Sequence, residues 1–143
     1  MGVAISPLGA TVLRITLGVV YIAHAYYVYD VLTVDALAAM INKRLGIPVG
    51  DFATTYVLFV HVVGGVMMIL GVFTRWAAMA NLPVMVGTVL LFHFQEGFFM
   101  HGVIVDAARG KAEVAGYEYP LVLLAATLAQ CFLGTGTLGL TKN

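Results

Sequence analysis

The sequence predicts an all-α integral membrane protein: an antiparallel bundle of four transmembrane helices with an interfacial amphipathic helix in the first long connection. Composition, span length and the absence of strand patterning predict it. Of 143 residues, 62% are hydrophobic and only 10% are charged, against roughly 45–50% and about 25% in a soluble domain. Too few charges remain to coat a globule in water, and a disordered chain would be polar instead. Four stretches match the ~20 apolar residues that cross a hydrocarbon core about 30 Å thick, and none contains Asp or Glu. Segments such as LVLLAATLA and VVGGVMMILGVF lack the alternation of a membrane barrel strand, so they read as helices.

The first span covers about residues 8–29 and is interrupted only by Arg14 and His24. Ala23-His24-Ala25 imitates a signal-cleavage site. The residues before the span carry no Lys or Arg and the apolar stretch is long, so it reads as a retained span. The first connection, about Asp30 to Phe52, contains VDALAAMINKRLG. Its Val34, Leu37, Ala38, Ile41 and Leu45 recur at helical spacing, which predicts a short helix lying at the interface. Gly46 and Pro48 end it.

The second span, about residues 53–73, carries His61. Gly64, Gly65 and Gly71 are expected to line one side, where small residues let backbones approach closely in lipid. Only Thr74 and Arg75 separate it from the third span, about residues 76–94, which forces an antiparallel hairpin. The third span holds Asn81, Pro83 and His93, and Pro83 is expected to kink it by removing a backbone donor. Phe98, Phe99 and Tyr117 in the last connection suit the headgroup zone. The fourth span, about residues 119–140, carries Gln130 and repeats Ala125 and Ala129 at a spacing of four. Residues 1–143 form a single membrane domain in this reading.

Four spans put both termini on one side and gather every acid on the other: Asp30, Asp35, Asp51, Glu96, Asp106, Glu113 and Glu118. Basic residues set orientation, and their count does not decide it here. The short Arg75 turn favours cytoplasmic termini. Seven Lys and Arg balance seven Asp and Glu, so no basic field attracts nucleic acid. The single Cys131 rules out an internal disulfide scaffold. The lone thiol and the scattered methionines read as packing. No phosphate loop, C-x-x-C or Ser-His-Asp pattern is present.

Polar residues at membrane depth carry the functional expectations. Arg14 has two readings: a structural anchor that snorkels to lipid phosphate, or a contact to an anionic headgroup or ligand. A hydrogen bond to Asn81 is within geometric reach. Gln130 reads as an interhelical hydrogen bond, and Arg75 as a polar turn residue. His24, His61 and His93 come from three helices and share one leaflet. Tyr21 and Tyr27 flank His24 at helical spacing. Four uses of this cluster stay open. Interfacial histidines can simply anchor helix ends. Imidazoles can bond a quinone carbonyl, with Glu96 or Asp30 passing a proton to water. Histidines from two helices can clamp haem iron. His93 and Glu96, three residues apart, with His101 nearby, can contribute to a metal site.

These residues also resemble a known family. LRITLGVVYIAHA (Leu13 to Ala25), GGVMMILGVFTRWAAM (Gly64 to Met79) and YEYPLVLLAATLAQCFLGTG (Tyr117 to Gly136) follow the order and spacing of DoxX-family membrane proteins. Two features depart from it: the TGTLGLTKN close, and His61 where many relatives carry an acid. The resemblance implies four antiparallel helices with cytoplasmic termini. It also implies association with membrane redox assemblies, since the family's name comes from a thiosulfate:quinone oxidoreductase in which a DoxD membrane subunit pairs with a second subunit. It carries over no catalytic residues. The expectation is a small membrane subunit of a quinone-linked respiratory or sulfur-oxidising complex in a bacterial or archaeal inner membrane. It would be at most an accessory subunit of an oxidoreductase. The alternatives are a non-catalytic scaffold that docks another membrane protein, and a b-type haem electron carrier.

Overall fold

The structure, a computed structural model, describes residues 7–100, 103–106, 111–114 and 116–141. Helix α1 (Pro7–Tyr27) continues as a π-helical segment, Val28–Leu32. Helix α2 (Val34–Leu45) follows, then α3 (Gly50–Leu70) and α4 (Thr74–Gly87). Helix α4 also loosens into a π segment, Thr88–His93, and ends in a 3-10 turn, Phe94–Glu96. Strands β1 (Val103–Asp106) and β2 (Lys111–Val114) pair antiparallel, with Val103 opposite Val114 and Asp106 opposite Lys111. Helix α5 (Glu118–Leu133) closes the order. Three helical runs, 7–32, 50–70 and 74–96, are long and apolar enough to cross a membrane, and α5 is a shorter apolar helix.

Contacts fix how these helices run. Arg14 meets Met68 and Ile69, Gly18 meets Gly65, and His24 meets His61, so α1 and α3 are antiparallel. Asn81 bonds Val60 while Ala77 lies against Gly64, which makes α3 and α4 antiparallel. Arg75 reaches Phe132 and Phe94 stacks on Tyr117, so α4 and α5 are antiparallel. Tyr21 bonds Thr127 and Thr11 pairs with Thr137, which closes the ring from α5 back to α1.

The polarity of this ring is inverted relative to a soluble bundle. Thr11, Arg14, Thr54, His61, Thr74, Asn81, Thr127, Gln130 and Thr135 are buried. Phe52, Phe59, Val122 and Phe132 are exposed, Phe52 to 79%. In water that exterior would aggregate. In lipid it is the favoured surface, and polar groups turn inward. The chain is therefore an integral membrane protein.

Small residues set the closest approaches, but not where the spacing placed them. A Cβ on Gly65 would stand 2.9 Å from the Gly18 carbonyl of α1, whereas one on Gly64 would meet Asn81 of α4 at 2.6 Å. The adjacent glycines serve two neighbours rather than one side. Ala125 is exposed and Ala129 half-buried, while Thr127 and Gln130 face the interior. The packed face of α5 is thus the polar one.

Helix α2 begins at Thr33, whose hydroxyl accepts from the Ala36 amide at 3.3 Å. Thr33 sits at φ 74°, an uncommon conformation for a β-branched residue. Asp35 in the first turn and Lys43 and Arg44 in the last complement the helix dipole. Ala38 and Ile41 are the buried residues of α2, which packs on α3. Any side chain at Gly50 would strike the Ala38 backbone. The long last connection is drawn together at its neck, where the Tyr117 and Glu118 amides each donate at 3.0 Å to the Gly97 and Phe98 carbonyls.

The far end of α3 shows what closes the bundle. A helix leaves its last four carbonyls without intrahelical partners. Here Val72 donates to Met67 at 2.8 Å and Gly71, at φ 69°, donates to Met68 at 3.2 Å, a Schellman pairing. Arg14 donates to Met68 at 2.6 Å and to Ile69 at 2.7 Å. Leu140 donates to Leu70 at 3.3 Å. The fourth apolar stretch does not continue as helix to Leu140. It stops at Leu133, with Gly134 at φ 74°, and residues 134–141 fold back over the ends of α1 and α3. Arg14 holds that return through Thr135 at 2.8 Å and Leu138 at 2.5 Å. Arg14 does not snorkel outward. It is 1% exposed.

Replacing Arg14 by Met strips partners from carbonyls on α3 and on the return segment. It should lower stability by roughly 3 kcal/mol or more, at about 1 kcal/mol or more for each buried group left unpaired. Lys should recover only part, because an ammonium lacks the guanidinium's planar fork. Unfolding of the purified protein in mixed micelles measures both. An unchanged midpoint for Arg14→Met would show that the return segment is held by other contacts.

Candidate functional site

The interior of the ring around His61 is the candidate site. His61 lies eleven residues past Gly50 and nine before Leu70, about 16 Å from the start of α3 at roughly 1.5 Å per residue. It therefore sits near the middle of the helix, deeper than a start at residue 53 implies. Its position on α3 points it into the ring, because Gly64, Gly65 and Met68, three, four and seven residues on, are buried with it.

Three aromatic side chains from α1 are arrayed around it. The Tyr21 ring stands 4.8 Å from His61, and His24 stands 5.4 Å away, tilted by 56°. Tyr27 follows at 6.5 Å from His24. His93, at the end of the α4 π segment, lies within electrostatic range of His24. The three histidines share a region, but at different depths of burial. His61 is wholly buried, His93 half-buried and His24 exposed. Burial is graded like a funnel, with His24 at the mouth and His61 at the floor. Each π segment lies next to it, and π turns are frequent where a helix is opened for function.

Hydrogen bonding at the floor is uneven. The Thr127 hydroxyl donates to Leu123 at 2.7 Å, so the Tyr21 hydroxyl donates to Thr127. Asn81 lies beside His61, and its amide nitrogen donates to Val60 at 3.1 Å and Ala77 at 2.9 Å. Asn81 stands within hydrogen-bonding range of His61, but neither nitrogen of His61 makes a bond of acceptable geometry among the described residues, and neither does the Thr54 hydroxyl. An imidazole can offer a donor and an acceptor. Leaving such a group buried and unmade costs about 1–3 kcal/mol.

The other expected residues fall outside this floor. Arg14 does not bond Asn81; its donors go to backbone carbonyls at the far end of α3 and in the return segment. Among the described residues Gln130 makes no interhelical bond. Its amide donates to Gly134 of its own chain end at 2.5 Å. Arg75 caps α5 by donating to Phe132 at 3.1 Å. Glu96 is exposed, three residues past His93. Among the described residues no group of three His, Cys, Asp or Glu side chains is arranged to hold a metal, and His101 lies outside them. Haem does not fit the His24–His61 pair. Imidazoles on opposite faces of an iron porphyrin need the macrocycle between them, and α1 and α3 approach too closely at Gly18 and Gly65 to admit one beside these rings.

Sequence reading missed Thr54 and Thr127. Thr54 precedes His61 by seven residues and shares its face, a signal that was available. Thr127 gave none, because a hydroxyl within an apolar helix can return its proton to its own backbone.

Leucine at position 61 should make the protein more stable while removing the floor of the funnel. The expected gain is roughly 1–3 kcal/mol, the cost of the unmade bonds, read as a higher unfolding midpoint in detergent. A fall in the midpoint would mean that His61 is satisfied and has a structural role.

Comparison with known proteins bears on the same region. No curated protein and no solved structure matches the chain. The sequence profile of the DoxX family matches residues 9–94, a stretch that runs from the first turns of α1 through the π segment of α4 and contains His24, His61 and His93. With well over half of its length matched, the chain belongs to the DoxX family.

Proposed function

We propose that this protein is a small membrane subunit of a quinone-linked redox complex, and that the funnel floored by His61 receives the quinone headgroup. The observation that carries this reading is a fully buried imidazole at mid-depth with neither nitrogen bonded among the described residues. Ionisable groups inside membranes are rare and mark ligand or proton paths. A quinone is lipid-soluble and offers carbonyl oxygens that accept hydrogen bonds, the complement of an imidazole N–H. Its reduction takes up protons together with electrons. His61 would hold a carbonyl and supply a proton, and His24 and His93 would exchange that proton toward the acidic end. Electrons would come from a partner subunit.

In this reading all four long helices cross the bilayer as one membrane domain, with α5 extended by its flanking turns. Helix α2 lies as an amphipathic element at the surface. Both termini face the cytoplasm of a bacterial or archaeal inner membrane.

Photolabelling with an azido-quinone, followed by peptide mapping of the protein in lipid nanodiscs, tests the ligand. Label should fall on α1 and α3 near His24 and His61. His61→Leu should reduce it by about tenfold, equivalent to about 1.4 kcal/mol. His61→Gln, which keeps a donor and an acceptor, should lose less. Labelling that is indifferent to position 61 would defeat the quinone reading and leave a non-catalytic scaffold that docks another membrane protein.

A further inference from the structure

His61 is one of several unpartnered groups along the bundle axis. The Asn81 Oδ1 atom, though within range of His61, and the Gln130 Oε1 atom also make no hydrogen bond of acceptable geometry among the described residues, and both residues are 0% exposed. Their amide nitrogens are committed, Asn81 to Val60 and Ala77, and Gln130 to Gly134. What remains is an acceptor oxygen on each of two packed helices. From the end of the bundle at Thr74, Gln130 lies three residues in, Asn81 seven and His61 nine. These depths are about 5, 10 and 13 Å by the helical rise. Below Gln130, the buried hydroxyls of Thr74 and Thr135 pair at 3.2 Å. Beneath them Arg14 donates to the Thr135 carbonyl at 2.8 Å.

We infer that a file of internal water molecules binds along His61, Asn81, Gln130 and the Thr74–Thr135 pair, and that Arg14 seals its end against protons. Water suits these sites because it donates to the amide oxygens and can bond one nitrogen of the imidazole, leaving the other unmade. Buried waters of this kind bond otherwise unsatisfied polar groups. The file continues the funnel, so an open lower end would join the two sides of the membrane by a polar path. Arg14 stands at that end, and a fixed positive charge in a pore is a barrier to protons. Protons would then reach His61 from the His24 side alone. Water, unlike the quinone, is bound here whatever ligand the funnel takes.

Two measurements on the full chain test this. Water-edited solid-state NMR of the histidine-labelled protein in lipid should transfer magnetisation from water to His61. The double variant N81L/Q130L should lose most of that transfer. Proteoliposomes holding a pH dye should keep an imposed proton gradient with the native chain and with Arg14→Lys. They should dissipate it several-fold faster with Arg14→Gln, and return to the native rate when N81L/Q130L is added. Transfer unchanged by the double variant overturns the file. A leak in Arg14→Gln that ignores N81L/Q130L, or no leak at all, overturns the seal. Quinone photolabelling of the same samples is read separately, so loss of either idea leaves the other standing.

Discussion

The bundle depends on how the last carbonyls of α3 are satisfied. In water a helix end can be left to solvent. Inside a bilayer each unsatisfied backbone group costs several kcal/mol, so partners must come from the protein. Arg14 supplies them to Met68 and Ile69 from the opposite helix, and the same guanidinium holds the segment after α5. One side chain thereby ties α1, α3 and the chain's return into a closed end. The arrangement also answers the charge problem. Among the described residues no acid pairs with Arg14, but a helix C-terminus carries roughly half a negative charge, and backbone carbonyls from two segments converge on the cation.

The middle of the bundle is built on the opposite principle. Tyr21 and Thr127 complete a bond across the ring, and Asn81 stitches α4 to α3 at Val60. Between them, among the described residues, neither nitrogen of His61 makes a bond of acceptable geometry, and neither do the oxygens of Asn81 and Gln130. Satisfied groups surround unsatisfied ones, at a cost in stability. The π segments at the acid-bearing ends of α1 and α4 belong to the same pattern. They widen those helices beside His24 and His93, whereas the Arg14 end is wound tightly.

A good share of this was legible in the sequence. Composition and span length gave lipid as the solvent, and the apolar spacing of Val34 to Leu45 gave α2 with its cap at Gly46. The residue types at depth singled out Arg14, His24, His61, Asn81 and Gln130. Their partners were not legible. The spacing of Gly64 and Gly65 says that backbones approach but not which ones, since two adjacent residues point about 100° apart on a helix and can serve different neighbours. Ala125 and Ala129 suggested a packed face, yet threonine and glutamine occupy it, because in lipid the interior attracts polar side chains as strongly as small ones.

The sequence by itself determined the solvent, the helices and the inventory of polar groups, because these follow from hydropathy and period, which are local properties. Only the tertiary structure decided that Arg14 turns inward to carbonyls from distant segments, that α5 stops at Leu133 so that its tail can meet that guanidinium, and that His61 is buried deepest instead of joining a ring of equals. Each of those outcomes depends on the rotation of one helix against another. Rotation is set by the best joint packing of all the helices and leaves no periodic mark in any one of them.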